Sequence, residues 1–189
     1  MTHAPHPPAL RNILPDCRDK AFMETRFCIR AMDETHIPTC ARIIAETELW
    51  RAHYGITYPT AEALLREGQK EGNRSYVALE GSAVVGFVWF SLRAAFHRSG
   101  YIRLIAVKDD HRGQGIGTAL LREAETLIFA HSDHVFLLVS DFNHAAQAVY
   151  RHLGYMQVGA IPDYVIPGIT ELVLCKRRSS SKDEQATHR

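Results

Sequence analysis

The chain has 189 residues, 46% of them hydrophobic, which is enough for one domain with a substantial core. Its formal net charge is +1. The last fourteen residues set Lys176, Arg177, Arg178, Lys182 and Arg189 against Asp183 and Glu184, a net +3, so residues 1–175 carry −2 and a nucleic-acid footprint on the folded body is excluded.

Residues 1–25 begin proline-rich and show no period, which predicts a flexible lead; Met23 is a second candidate start beside Met1. Phe27–Arg30 reads as a short first strand. Pro38 suits the first turn of a helix beginning near Ile37, with Ile43, Ile44 and Leu49 facing inward. An aromatic loop, Trp50 to Tyr58, follows. Thr60 then caps a second helix, Ala61 to about Lys70, with Glu62 in its first turn.

Strands come next. Ser75–Glu80 turns at Gly81-Ser82 into Ala83–Leu92, whose run Val84–Phe90 is apolar on both faces and marks a central strand. Tyr101–Val107 precedes His111-Arg112-Gly113-Gln114-Gly115-Ile116-Gly117-Thr118, and a helix runs on to about Phe129 with Ile116, Leu120, Ala124 and Leu127 on one face. Val135–Val139 is a fifth, buried strand. Asn143 caps the next helix. Tyr155–Ala160 and Ile169–Lys176 bracket a loop at 161–168, and residues 177–189 read as a disordered tail. The order β-α-α-β-β-β-α-β-α-β-β predicts a mixed α/β domain over 26–176, a sheet of about seven strands with helices on both sides.

The glycine run carries the chemistry. Glycines between a strand and a helix let the backbone approach a ligand closely, and the N–H groups of the first helical turn then point at an anion. The predicted ligand bears phosphate. A nucleoside-triphosphate loop needs Gly-Lys-Ser/Thr, and Gly117-Thr118 has no lysine. A dinucleotide loop needs Gly-x-Gly-x-x-Gly, whereas Gly113, Gly115 and Gly117 alternate. The pattern Arg/Gln-x-x-Gly-x-Gly/Ala is met by Arg112, Gly115 and Gly117, and it resembles the acyl-CoA-binding motif of the GNAT superfamily of N-acetyltransferases. Asn143, Ala146, Tyr150, Gly154 and Tyr155 are similar to that family's second signature, Asn-x-x-Ala-x-x-x-Tyr-x-x-x-Gly-Phe/Tyr. The likeness covers roughly residues 27–176.

The resemblance implies a GNAT-like sheet and an acetyl-CoA-dependent transfer of an acetyl group to an amine acceptor, by direct attack in a ternary complex. It places pantetheine along Ile105, Ala106 and Val107. It places the pyrophosphate on Arg112, Gly113, Gln114, Gly115, Ile116, Gly117 and Thr118. Asn143 contacts the pantetheine and Tyr150 protonates the leaving thiolate. Asn143 and Tyr150 lie seven residues apart, about 20° off one helical face, so both reach one elongated ligand. The alternative for Tyr150 is core packing with Ala146 and Leu153. Relatives acting on protein N-termini often carry a glutamate five residues before the motif asparagine, where this chain has Leu138. The general base is therefore open: an ordered water, or a residue from elsewhere, with Glu46, Glu48, His53 and Tyr54 as candidates. Glu46, Tyr54, Tyr101 and Tyr164 are the expected acceptor-side residues, and the loop from Tyr164 to Glu171 resembles the substrate loop of peptide N-terminal acetyltransferases. Leu138 also leaves room for an acyl-CoA-binding sensor or interaction module that has lost catalysis.

The four cysteines, Cys17, Cys28, Cys40 and Cys175, have no CxxC spacing and read as reduced thiols rather than a disulfide framework or zinc cluster. His131 and His134 lack a nearby carboxylate or cysteine to complete a metal site, so no metal is expected. No apolar stretch reaches 18 residues and no h-region precedes a cleavage site, which predicts a cytoplasmic protein with no membrane partner, as a monomer or homodimer.

Overall fold

The computed structural model describes residues 26–70 and 73–179. The proline-rich lead at 1–25, with Met23, and the tail from residue 180 lie outside the described residues. Seven strands form one mixed sheet: β1 (Cys28–Ala31), β2 (Arg74–Glu80), β3 (Ala83–Ala95), β4 (Ser99–Val107), β5 (His134–Ser140), β6 (Met156–Pro162) and β7 (Thr170–Arg177). Four α-helices, α1 (Ile37–Glu46), α2 (Tyr58–Lys70), α3 (Ile116–Phe129) and α4 (His144–His152), complete the expected order. The strands lie side by side as β1-β2-β3-β4-β5-β7-β6. Neighbours are antiparallel except β4 and β5, which are parallel and joined through α3.

The central position of β3 follows from its apolar run, since Val84–Phe90 is buried throughout. Alternation then sends its side chains to two separate cores. Phe87, Trp89, Leu104 and Ala106 meet Ile37, Ile43 and Ile44 of α1 and Leu65 of α2. Val88, Phe90, Val135 and Leu137 meet Leu120, Leu121 and Ile128 of α3 on the opposite face. A Cβ at Gly100 would fall 2.2 Å from Ile128 Cγ2, so α3 lies directly on the β4 backbone. Leu127 is only partly buried, and Ile128 fills the position expected of it. Glu125 is a charged residue on this buried stripe; Lys176 Nζ of β7 donates to its Oε2 at 2.6 Å. The pair sits behind Tyr155, whose hydroxyl is buried and whose pKa burial and Glu125 push up.

Several boundaries differ from expectation for local reasons. The helix α2 begins at Tyr58 rather than Ala61, because Ala61 N–H already donates to Thr57 O at 2.9 Å; Thr60 therefore lies inside the helix and does not cap it. The expected aromatic loop is partly helical: Leu49–His53 wind as one π-helical turn. Trp50 and Arg51 N–H both donate to Thr47 O at 3.1 Å, so the chain keeps coiling after α1. Arg177 closes β7 instead of opening the tail, and Arg178 pairs with Asp133 at 2.5 Å. Cys40 and Cys175 are free and buried, whereas Cys28 is disulfide-bonded, against the reading of reduced thiols throughout. Among the described residues no helix is long and apolar enough to cross a membrane, and no three His, Cys, Asp or Glu side chains gather as a metal cluster.

Candidate active site

The site forms where β4 and β5 part. They pair at Gly100–Val135, Tyr101–Phe136 and Ile102–Leu137. Beyond Ile102, β4 continues to Val107 on the β3 side, and β5 continues to Ser140 on the β7 side. The register on β3 slips between Trp89–Leu104 and Phe90–Ile102, which leaves Arg103 as the extra residue of a bulge. A bulge bends its strand and increases the local twist, here at the residue where β4 leaves β5. Two facing strand edges are thus left with backbone donors and acceptors for a third extended chain. Ile105, Ala106 and Val107 line one of those edges, as the resemblance implies.

The glycine loop closes the end of this gap. Gly113 and Gly115 have φ of 74° and 81°, the left-handed region that glycine adopts without a Cβ clash. Gly115 is the N-cap of α3. The first helical bond runs from Ala119 N–H to Gly115 O at 2.9 Å, so the N–H groups of Ile116, Gly117 and Thr118 precede the intrahelical ladder. The first turn of α3 contains no acidic residue, and the helix dipole there is unopposed. A Cβ at Gly113 or Gly115 would meet nothing within 4 Å, so the loop faces open space. These features fit a pyrophosphate. Arg112 stands beside them, paired with Asp109 at 2.7 Å, and Gln114 Nε2 donates to Asp110 O at 3.4 Å. A cavity of about 500 Å³ continues along Gly115, Thr118 and Arg122. A second of about 430 Å³ joins Arg122 to Val149 and His152 between α3 and α4.

His111 fixes the approach to the loop. Its Nδ1 contacts Asp110 Oδ1 at 2.5 Å and its Nε2 contacts Glu80 Oε2 at 3.0 Å. The hydrogen bond to Asp110, then that to Glu80, raises its pKa above the ordinary histidine value.

Asn143 caps α4 and Tyr150 stands in the last turns of the same helix. Asn143 Oδ1 accepts from Ala146 N–H at 3.2 Å as the N-cap, which leaves its amide nitrogen as a donor. Gln147 Nε2 donates to the carbonyls of Ser140 and Asp141 at 3.0 and 2.8 Å, and so ties α4 to the end of β5. Tyr150 packs on the α3-side core, its ring edge-on to Tyr155 at 5.7 Å. Burial pushes its pKa up to about 12, so its hydroxyl keeps its proton at neutral pH.

The opposite face presents a different set. Tyr54 leaves the π-helical turn with its ring 5.3 Å from Trp50, which packs on the α1–α2 core. Its hydroxyl contacts Ser140 Oγ and donates to Glu171 Oε1 at 2.7 Å. Ser140 Oγ donates to the same oxygen at 3.2 Å. Ser140 and Glu171 are cross-strand partners on β5 and β7, and both are buried. Burial, offset in part by Ser140 and reinforced by Glu171, raises Tyr54 to about 12. Burial raises Tyr101 as well, and Arg103, Tyr164 and Glu171 act on it. Of the expected acceptor-side residues, Tyr54 bonds the Glu171 carboxylate directly, and Tyr101 feels the charges of Glu171 and Tyr164. Glu46 does not join them; it is exposed at the last residue of α1.

Comparison with known proteins matches the Acetyltransferase (GNAT) family to residues 43–155. The chain belongs to that family. It is 31% identical over 140 residues to an uncharacterized N-acetyltransferase of Methanocaldococcus jannaschii, covering 73% of this chain and 87% of the relative. The N-alpha-acetyltransferase RimI of Mycobacterium tuberculosis is 36% identical over 98 residues, 51% of this chain and 61% of that protein. The crystal structure of Ard1 from Thermoplasma volcanium superimposes with a TM-score of 0.67 at 24% identity, over 82% of this chain and 100% of that one. This GNAT enzyme is an N-acetyltransferase whose donor is acetyl-CoA.

Sequence reasoning missed Ser140 and Gln147, and saw Glu171 only as the end of a loop. A signal was present for the last. On β7 the residues Glu171, Val173 and Cys175 share a face by alternation, and a carboxylate on an otherwise apolar strand face demands a partner.

Proposed function

We propose that the enzyme moves the acetyl group directly from acetyl-CoA to a primary amine held in the same complex. The donor's pyrophosphate sits on Gly113–Thr118, and its pantetheine lies against Ile105–Val107 with the Asn143 amide as a further donor. Tyr150 protonates the thiolate. The amine enters from the face of Tyr54, Tyr101 and Tyr164. The observation that carries this reading is the parting of β4 and β5 beyond Ile102 and Leu137, with the open glycine loop following β4 at one end. Among the described residues a covalent acyl-cysteine step finds no ready nucleophile: burial pushes the Cys40 thiol up to about 12, Cys175 is raised and buried too, and Cys28 is disulfide-bonded.

Magnitudes support an acceptor of low pKa. Freeing an α-amine at pH 7 costs roughly 1.2 kcal/mol and a lysine amine roughly 4.6, from their ordinary pKa values. A cleft with a single buried carboxylate favours the first, a protein N-terminus or a small amine of low pKa. Thioester consumption across peptides, amino acids, polyamines and aminoglycosides tests this. Peptide α-amines are expected to turn over fastest. A binding module without catalysis would bind CoA and consume no thioester with any of them.

A further inference from the structure

We propose that Glu171 is the general base of this enzyme and the anchor of the acceptor's ammonium group, which places the base on β7 and not on β5. The inference rests on the acetyltransferase reading above. The position on β5 where a glutamate is often found holds Leu138, which cannot take a proton. Its face of the sheet is shared by Ser140, and Ser140 delivers Glu171 from the neighbouring strand.

Three observations support the role. Glu171 is 4% exposed, yet both hydrogen bonds to it, from Tyr54 and Ser140, end on Oε1. Oε2 is left for a third donor. A buried carboxylate with one oxygen unclaimed gains most from a cationic partner. The second observation is position. Ser140 lies three residues beyond Leu137, on the stretch of β5 that has left β4, and its cross-strand partner Glu171 therefore stands at the wall of the gap opposite the β4 edge. The third is the side of the sheet. Tyr150 belongs to the α3-side core, whereas Glu171 is bound to Tyr54, which stacks on the α1–α2 side. Acid and base therefore lie toward different faces of the sheet, and addition of the amine gives a tetrahedral carbon that carries nitrogen and sulfur together, so one Tyr150 hydroxyl can serve both.

The protons balance. Glu171 Oε2 takes one proton from the bound ammonium, and the freed nitrogen lone pair forms the C–N bond at the thioester carbonyl carbon. The C–S bond then breaks and Tyr150 protonates the departing sulfur. The nitrogen's second proton returns to the Tyr150 oxygen, and Glu171 releases its own proton to water. One proton leaves per turnover. The groups that face or act on this corner are Tyr54 and Asp141, Tyr101 and Arg103 on β4, and Tyr164 from the β6–β7 loop.

The test is Glu171→Gln, with Glu171→Asp beside it, read as kcat/KM against pH for a peptide α-amine and as CoA affinity by calorimetry. Glu171→Gln is expected to keep CoA affinity and lose about 10²-fold in kcat/KM at pH 7. The deficit shrinks as the pH climbs toward the acceptor's own pKa, where free amine arrives without help. Glu171→Asp restores part of the rate. A deficit that stays constant with pH, or no deficit at all, overturns the base role while the parent's turnover upholds the acetyltransferase reading. If the parent binds CoA and acetylates no amine of the panel, both fall.

Discussion

The two sides of the β4–β5 gap are built from different materials. On the side proposed for the donor the available groups are backbone: the N–H groups of Ile116, Gly117 and Thr118, and the open edge of Ile105–Val107. Glycine geometry within one short segment sets them. On the acceptor side they are side chains: Tyr54 from the π-helical turn, Tyr101 from β4, Ser140 from β5, Tyr164 from a loop and Glu171 from β7. No two of these come from the same element. A backbone site tolerates changes of side chain that leave φ and the space alone. A side-chain site changes its specificity with a single substitution and leaves the donor side as it was. Under the proposed function, this division separates the holding of acetyl-CoA from the choice of amine, because binding and specificity then rest on different chemistry.

The largest expected effect breaks the donor side. Gly115→Asp puts a Cβ at a φ of 81° and a negative charge beside the pyrophosphate. Thermal stabilisation by CoA should vanish, with the circular dichroism of the variant unchanged; stabilisation equal to the parent's would remove the loop from the site. Next is the step that joins the two sides. Tyr150→Phe keeps the edge-on packing against Tyr155 and deletes the proton donor. Turnover at saturating substrates should fall about 10²-fold with CoA affinity unchanged. Unchanged turnover would return Tyr150 to the core-packing alternative.

On the acceptor side the effect is smaller and selective. Tyr164 is 60% exposed, so Tyr164→Ala costs the fold little. It should raise the acceptor KM several-fold and spare CoA affinity, and a change confined to CoA affinity would assign that loop to the donor. The smallest effect is a matter of pH. Asp110 and Glu80 raise the folded-state pKa of His111, so its contribution to stability is complete below the unfolded value near 6.5 and is lost as pH rises through the raised value. The Tm gap between the parent and His111→Gln should therefore narrow from pH 6 to pH 8. A gap that widens with pH would show that the His111 contacts act in the neutral form.

The same division decides what could be read from the sequence. The order of elements along the chain, the strand–glycine loop–helix join and the Asn143 cap were legible because each depends on residues close in sequence: alternation, a cap, a helical period, a positive φ that only glycine takes readily. The Glu171 corner was not. Its hydrogen bonds span 31 residues to Ser140 and 117 to Tyr54, and the β5–β7 register that creates the first is set by the whole sheet. Tyr54 itself reaches Glu171 through a π-helical turn that the aromatic composition of Trp50–Tyr58 concealed. The sequence offered Glu46 as a candidate base and Glu171 only as the end of a loop, and burial separates them: Glu46 is exposed on α1, whereas Glu171 sits inside the sheet.

A crystal structure of the enzyme with CoA tests the central claim most directly. The account predicts the pyrophosphate on the N–H groups of Ile116–Thr118, the pantetheine extended along Ile105–Val107, and the thiol sulfur in the gap within hydrogen-bond reach of the Tyr150 hydroxyl, on the far side of the sheet from Glu171. A CoA molecule whose pyrophosphate lies away from the glycine loop, or whose sulfur emerges on the face of Glu171 out of reach of Tyr150, would contradict it.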